Sequence, residues 1–92
     1  MTAKKLPKWF IDNPHTMTYE EGSNVQNPFS GESYELNGEE LAMYDYIIGL
    51  QITIDRKGGA FHPDTFKYQK DLRRGLDWFR SANPEAYMVL LD

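Results

Sequence analysis

The chain has no cysteine. Disulfides, thiolate metal centres and cysteine nucleophiles are therefore excluded. It has no apolar run near the length that a membrane-crossing helix needs, so no membrane span is expected. Histidine is scarce, with His15 and His62 the only two. Positive charge is in the minority: ten Lys and Arg against fourteen Asp and Glu, for a formal net charge of −4. A chain of that sign is poorly matched to a phosphate backbone, and nucleic acid is not expected as its main partner. Lys4, Lys5 and Lys8 make a basic start, but Pro7 and Trp9 stand where a secretory signal would place its apolar stretch. No signal peptide is expected. There is no internal repeat and no low-complexity tract.

What is present fits one small domain spanning residues 1–92. A chain of 92 residues buries only about 60–65% of its unfolded surface, so its core must be efficient. Five Phe, six Tyr and two Trp supply a core of few but large side chains. The N-terminal stretch begins polar and ends in Leu6, Trp9, Phe10 and Ile11. An apolar cluster there docks onto something, in the first place the chain's own core, and Trp9 and Phe10 are also candidates for contact with a partner. Asn13-Pro14 then breaks the chain. Met17-Thr18-Tyr19 reads as a short strand and Glu20–Asn24 as a turn or loop. Asn27-Pro28-Phe29-Ser30-Gly31 has turn grammar: Asn first, Pro with its preset φ, and Gly free to take positive φ. Glu32–Leu36 alternates, with Tyr34 and Leu36 on one face. Residues 1–36 thus read as an extended arm with an irregular β-hairpin.

Helical signals dominate the rest. Asn37 is an N-cap candidate, and Glu40 three residues later completes a capping box. A first helix is expected within 37–57. Leu41, Met43, Tyr44, Ile47, Ile48, Leu50, Ile52 and Ile54 cover close to half its circumference, wider than the roughly 100° stripe of a surface helix. Asp45, Gly49, Thr53 and Arg56 take the other side. The alternating, mostly β-branched run from Ile48 to Ile54 is also a strand signature, but the cap favours a helix. The wide arc implies either a central helix or one that also faces a partner. Met43, Ile47, Leu50 and Ile54 are the candidate contact residues, for self-association or for a second protein. Lys57-Gly58-Gly59 ends the helix, with Gly58 as its left-handed cap. A second helix is expected over 63–82, with Pro63 in its first turn. Tyr68, Leu72, Leu76 and Phe79 form its core face, and Lys67, Lys70, Arg73, Arg74, Asp77 and Arg80 its solvated face. Asn83-Pro84 starts a short third helix over 84–91, antiparallel packing of the first two being assumed. The fold class is mainly α (α+β).

Residues able to carry chemistry are few. His62 and Asp64 flank Pro63 and can face one point, but no third ligand stands at a recognisable spacing, so no metal or other cofactor is expected. Most of the carboxylates sit in turns or in a helix first turn, where they are ordinarily solvated, and Asp45 lies on the polar arc of the first helix, so no catalytic pair is expected. Ser30-Gly31 lacks the G-x-S-x-G frame, and no Lys-Ser/Thr follows Gly58-Gly59 as a phosphate loop requires. Lys67, Lys70 and Arg74 share one side of the second helix and form a weak candidate for phosphate contact. Asp71 and Asp77 beside them favour ion pairs within the helix instead. Trp78 falls toward the charged side. It needs a cover, either the C-terminal segment with Arg74 stacked on the ring, or a partner for which Arg74 and Trp78 form the anchor.

Asn27-Pro-Phe-Ser-Gly-Glu, Tyr34-Glu-Leu-Asn, Ala42-Met-Tyr-Asp-Tyr-Ile, Gly75-Leu-Asp-Trp-Phe-Arg and Asn83-Pro-Glu-Ala-Tyr together resemble small uncharacterised proteins of tailed bacteriophages, of marine and cyanophage type. The resemblance covers roughly residues 27–92. It implies a virus-encoded accessory or structural protein, made in the cytoplasm of an infected bacterium, and it carries no catalytic residues. The expected function is a non-enzymatic interaction protein acting on a host or phage protein. The alternatives are a virion or assembly component, a small metal-dependent enzyme, and a nucleic-acid accessory protein.

Overall fold

Asn37 ends an extended segment and starts the longest helix. Its side chain accepts from the Glu40 amide at 2.8 Å, and the Glu40 carboxylate accepts from the Asn37 amide at 3.0 Å. This reciprocal pair satisfies two donors that the first turn leaves free. In the computed structural model, which describes residues 5–91, the elements follow in order as α1 (Lys8–Ile11), β1 (Ser23–Gln26), β2 (Ser33–Leu36), α2 (Gly38–Arg56), a 3₁₀ turn (Pro63–Thr65), α3 (Phe66–Ala82) and α4 (Pro84–Leu90). The first four residues of the N-terminal arm and Asp92 lie outside the described residues. The fold is mainly α with one small sheet. Among the described residues no helix is long and apolar enough to cross a membrane.

α2 stops where the glycines allow it to. The Gly59 amide donates to the Ile54 carbonyl at 2.9 Å and the Gly58 amide to Asp55 at 3.4 Å. These are the two bonds of a Schellman ending, with Gly58 at the left-handed position, φ 112°. The His62 ring then caps the 3₁₀ turn, its Nδ1 accepting from the Asp64 amide at 3.1 Å. α3 therefore begins at Phe66, one tight turn later than the expected helix start at Pro63. α2 and α3 run antiparallel: Glu40 reaches Asn83, the ring of Tyr44 meets Phe79, and Ile47 lies beside Gly75. Gly75 permits the close approach. A Cβ there would stand 3.1 Å from Ile47 Cγ1 and 3.3 Å from Met43 Sδ.

The hairpin is antiparallel, with Val25 opposite Tyr34 and Ser23 opposite Leu36. Gly31, φ 78°, closes its turn, and the Gly31 amide donates to the Asn27 carbonyl at 2.9 Å. Two expectations are corrected here. Met17-Thr18-Tyr19 is not a strand: among the described residues the sheet has two members, β1 and β2, and this segment pairs with neither. The first strand comes from Ser23–Gln26, part of which reads as loop in the sequence. Tyr19 packs against α2 instead, its hydroxyl donating to Asp45 at 2.6 Å.

The core gathers Phe10, Leu36, Met43, Ile47, Trp78, Phe79 and Leu90. This corrects the expected interface. Phe10, Met43 and Ile47 are fully buried, and Leu50, Ile54 and Trp78 nearly so, all within the chain itself. The reason is cover. α3 takes one flank of α2, and the N-terminal segment with α1 takes another, so most of the wide apolar arc finds its partners internally, while Ile52 stays exposed.

Candidate interaction surfaces

Trp78 shows how the N-terminal segment serves as cover. Its indole Nε1 donates to the Lys5 carbonyl at 3.0 Å, a partner 73 positions away that helical spacing cannot reveal. Arg74 does not stack on Trp78. Its guanidinium lies 4.3 Å from the ring of Trp9, and its other contact is an ion pair with Asp71. Trp9 and Phe10 pack on Tyr46, Phe10 edge-on at 5.5 Å. The anchor envisaged from Arg74 and Trp78 is therefore not formed: Trp78 and Phe10 are buried in an internal joint, Trp9 and Tyr46 are half-buried in it, and Arg74 lies exposed at its edge.

Tyr46 is the polar centre of this joint. Its hydroxyl accepts from the Asn13 amide and donates to Asp71, both at 3.0 Å. Burial first, and then the Asp71 hydrogen bond, push its pKa up to about 12. Such a phenol stays protonated and serves neither as a general base nor as a nucleophile near neutrality. The Asp45 hydrogen bond likewise raises Tyr19, and the Glu85 hydrogen bond raises Tyr34. A cleft of about 710 Å³ opens beside Tyr46, between the 13–19 segment, α2 and α3, with Tyr19, Asp45, Gly49 and Lys67 in its walls. Its carboxylates are already engaged by phenols or by Arg74.

The remaining site candidates separate rather than converge. His62 Nδ1 is used in the turn cap and stands 3.8 Å from Asp64. No group of three or more His, Asp or Glu side chains that could hold a metal occurs among the described residues. Of the ridge Lys67, Lys70 and Arg74, Lys67 lies over its neighbour Tyr68 at 5.0 Å, and Arg74 is occupied as described. Asp77 pairs with Arg80 at 3.2 Å. The acidic residues of α3 thus take up arginines that phosphates would need.

The surface that stays apolar lies elsewhere. Phe29 at the hairpin turn and Phe61 in the α2–α3 connection are 98% and 96% exposed. The hairpin turn itself is built firmly: Asn27 Oδ1 accepts from the Phe29 amide at 2.9 Å, and its Nδ2 donates to the Val89 carbonyl of α4 at 2.9 Å. Sequence reading identified the turn from its residue grammar but not this tether, since Asn27 and Val89 are brought together only by the fold. Met88 and Ile52 add partly exposed apolar surface. Gly49, in the middle of α2, is exposed, and such a glycine costs a helix up to about 1 kcal/mol relative to alanine. No known protein family, curated protein or solved structure matches the chain.

Proposed function

We propose that this chain is a non-enzymatic interaction protein that presents apolar side chains on firm turns to a protein partner. The observation that carries the reading is the near-complete exposure of Phe29 and Phe61. The backbone of the turn is already fixed by hydrogen bonds, so docking has to order only the two side-chain torsions of the phenylalanine. Aromatic residues of this kind are enriched in the cores of interfaces. The cleft supports the same reading, because its carboxylates Asp45 and Asp71 are held by the phenols of Tyr19 and Tyr46 and by Arg74. With the resemblance to small tailed-phage proteins, this describes an accessory protein acting on a host or phage complex.

Affinity capture from the cells in which the chain is made, with the wild type beside Phe29→Ser and Phe61→Ser, tests it. A partner recovered in stoichiometric amount by the wild type and lost with either variant is the expected result. Equal recovery by all three, or recovery of no partner, counts against this surface and this function.

A further inference from the structure

The outer face of α2 carries a pattern that the chain's own packing does not explain. Asp45, Gly49, Ile52 and Arg56 recur three or four residues apart, so they stack along one line of the helix. That line lies opposite the buried Met43, Ile47 and Ile54. All four are exposed, and Ile48 and Thr53 flank them half-buried. Gly49 is the anomaly. Its φ is not positive, and a Cβ placed there would meet nothing within 4 Å. Neither backbone conformation nor internal packing asks for glycine in the middle of this helix. A missing Cβ does let a second helix come close.

We propose that this face is a homodimer interface. α2 of a second copy packs antiparallel across it, Ile52 of each chain seated on Gly49 of the other and Asp45 of each facing Arg56 of the other. Charge order and spacing select this occupant. The intervals are palindromic: four residues from Asp45 to Gly49, three to Ile52, four to Arg56. Read in reverse on an antiparallel copy about a two-fold axis, they place acid opposite base at both ends and a side chain opposite a gap twice in the middle. Such a self-complementary patch is what a two-fold interface requires. A parallel copy would oppose Asp45 to Asp45 and Arg56 to Arg56. Arg56 makes no ion pair among the described residues. Asp45 accepts one bond, from Tyr19, and a carboxylate has room for more. The line is roughly 16 Å long, so the contact belongs to the small, transient class. The inference goes beyond the reading above. It uses neither Phe29 nor Phe61 and stands if they recruit nothing.

Sedimentation equilibrium of the full chain, from low micromolar to millimolar concentration, tests it. The wild type is expected to dimerise. Asp45→Arg and Arg56→Asp each bring like charges together and are expected to weaken the dimer at least about tenfold. Mixing those two variants is expected to restore it, because acid meets base again at both ends of the mixed pair. Gly49→Leu is expected to abolish dimerisation while circular dichroism and melting temperature show the monomer intact. A wild type that stays monomeric throughout overturns the proposal. So does a dimer indifferent to all three substitutions, or one that the charge variants weaken and their mixture does not restore.

Discussion

At the scale of single residues, the groups with most effect are aromatic side chains that carry one polar atom into the interior. Trp78 buries nearly its whole indole and finds an acceptor for Nε1 in the Lys5 carbonyl. Trp78→Ala is expected to cost about 3–5 kcal/mol in urea unfolding. Trp78→Phe keeps most of the volume and should cost clearly less; equal costs for the two would mean that the hydrogen bond, not the packing, dominates. Tyr46 gives a pH-dependent counterpart. Its pKa is raised from 10.0 to about 12 in the folded chain, so folding favours the protonated phenol. The stabilisation is fully present below about pH 10 and is lost as pH rises toward 12. Tyr46→Phe should remove that part of the alkaline decline, seen as a shallower fall of melting temperature over this range than in the wild type. Identical slopes would show that other groups cause the decline. The sequence shows that Trp78 needs a cover and cannot show which, because Lys5 lies at the opposite end of the chain.

Elements were legible where local chemistry alone decides them. Asn37 with Glu40 announces α2, Gly58-Gly59 ends it, and Pro84 opens α4; all rest on bonds within a few residues, whereas Pro63 reads as the start of the second helix and opens a 3₁₀ turn instead. Asn37→Ala removes the acceptor for the Glu40 amide and should lower stability by about 1 kcal/mol. Glu40→Ala should cost more, because Glu40 also accepts from the buried Asn83 amide at 3.1 Å and its loss leaves that amide unpaired, at about 1–3 kcal/mol. If the two variants melt alike, the α2–α4 link carries no weight. α1 and β1 were not legible. α1 is four residues long and draws its stability from the joint with Tyr46 and Trp78 rather than from propensity. β1 reads Ser-Asn-Val-Gln, which has one β-branched residue and pairs only because the turn aligns it with β2.

At the scale of the whole molecule, the sequence overstates how much of α2 is free, and the reason is geometric. A helical wheel shows that half the helix is apolar; it does not show that α3 packs on one side of it while an N-terminal segment crosses another. Met43, Ile47, Leu50 and Ile54 thereby turn inward, Ile52 alone of the large apolar residues of α2 stays exposed, and the most exposed apolar side chains are Phe29 and Phe61, which lie in turns that no periodicity scores. The same residue type therefore plays opposite parts at three positions, and that contrast can be measured. Phe10 is fully buried against Tyr46, so Phe10→Ala should cost about 3–5 kcal/mol, a large share of what a domain this small possesses. Phe29→Ala and Phe61→Ala remove side chains that touch almost nothing and should stay within about 0.5 kcal/mol of the wild type. Urea unfolding of the three variants decides. If Phe29→Ala or Phe61→Ala destabilises the chain as Phe10→Ala does, that side chain belongs to the fold, and the surface proposed for a partner loses its main support. If both leave stability unchanged, the two side chains are free of any role in the fold, and lost partner binding by the same two variants would then assign them to the interface.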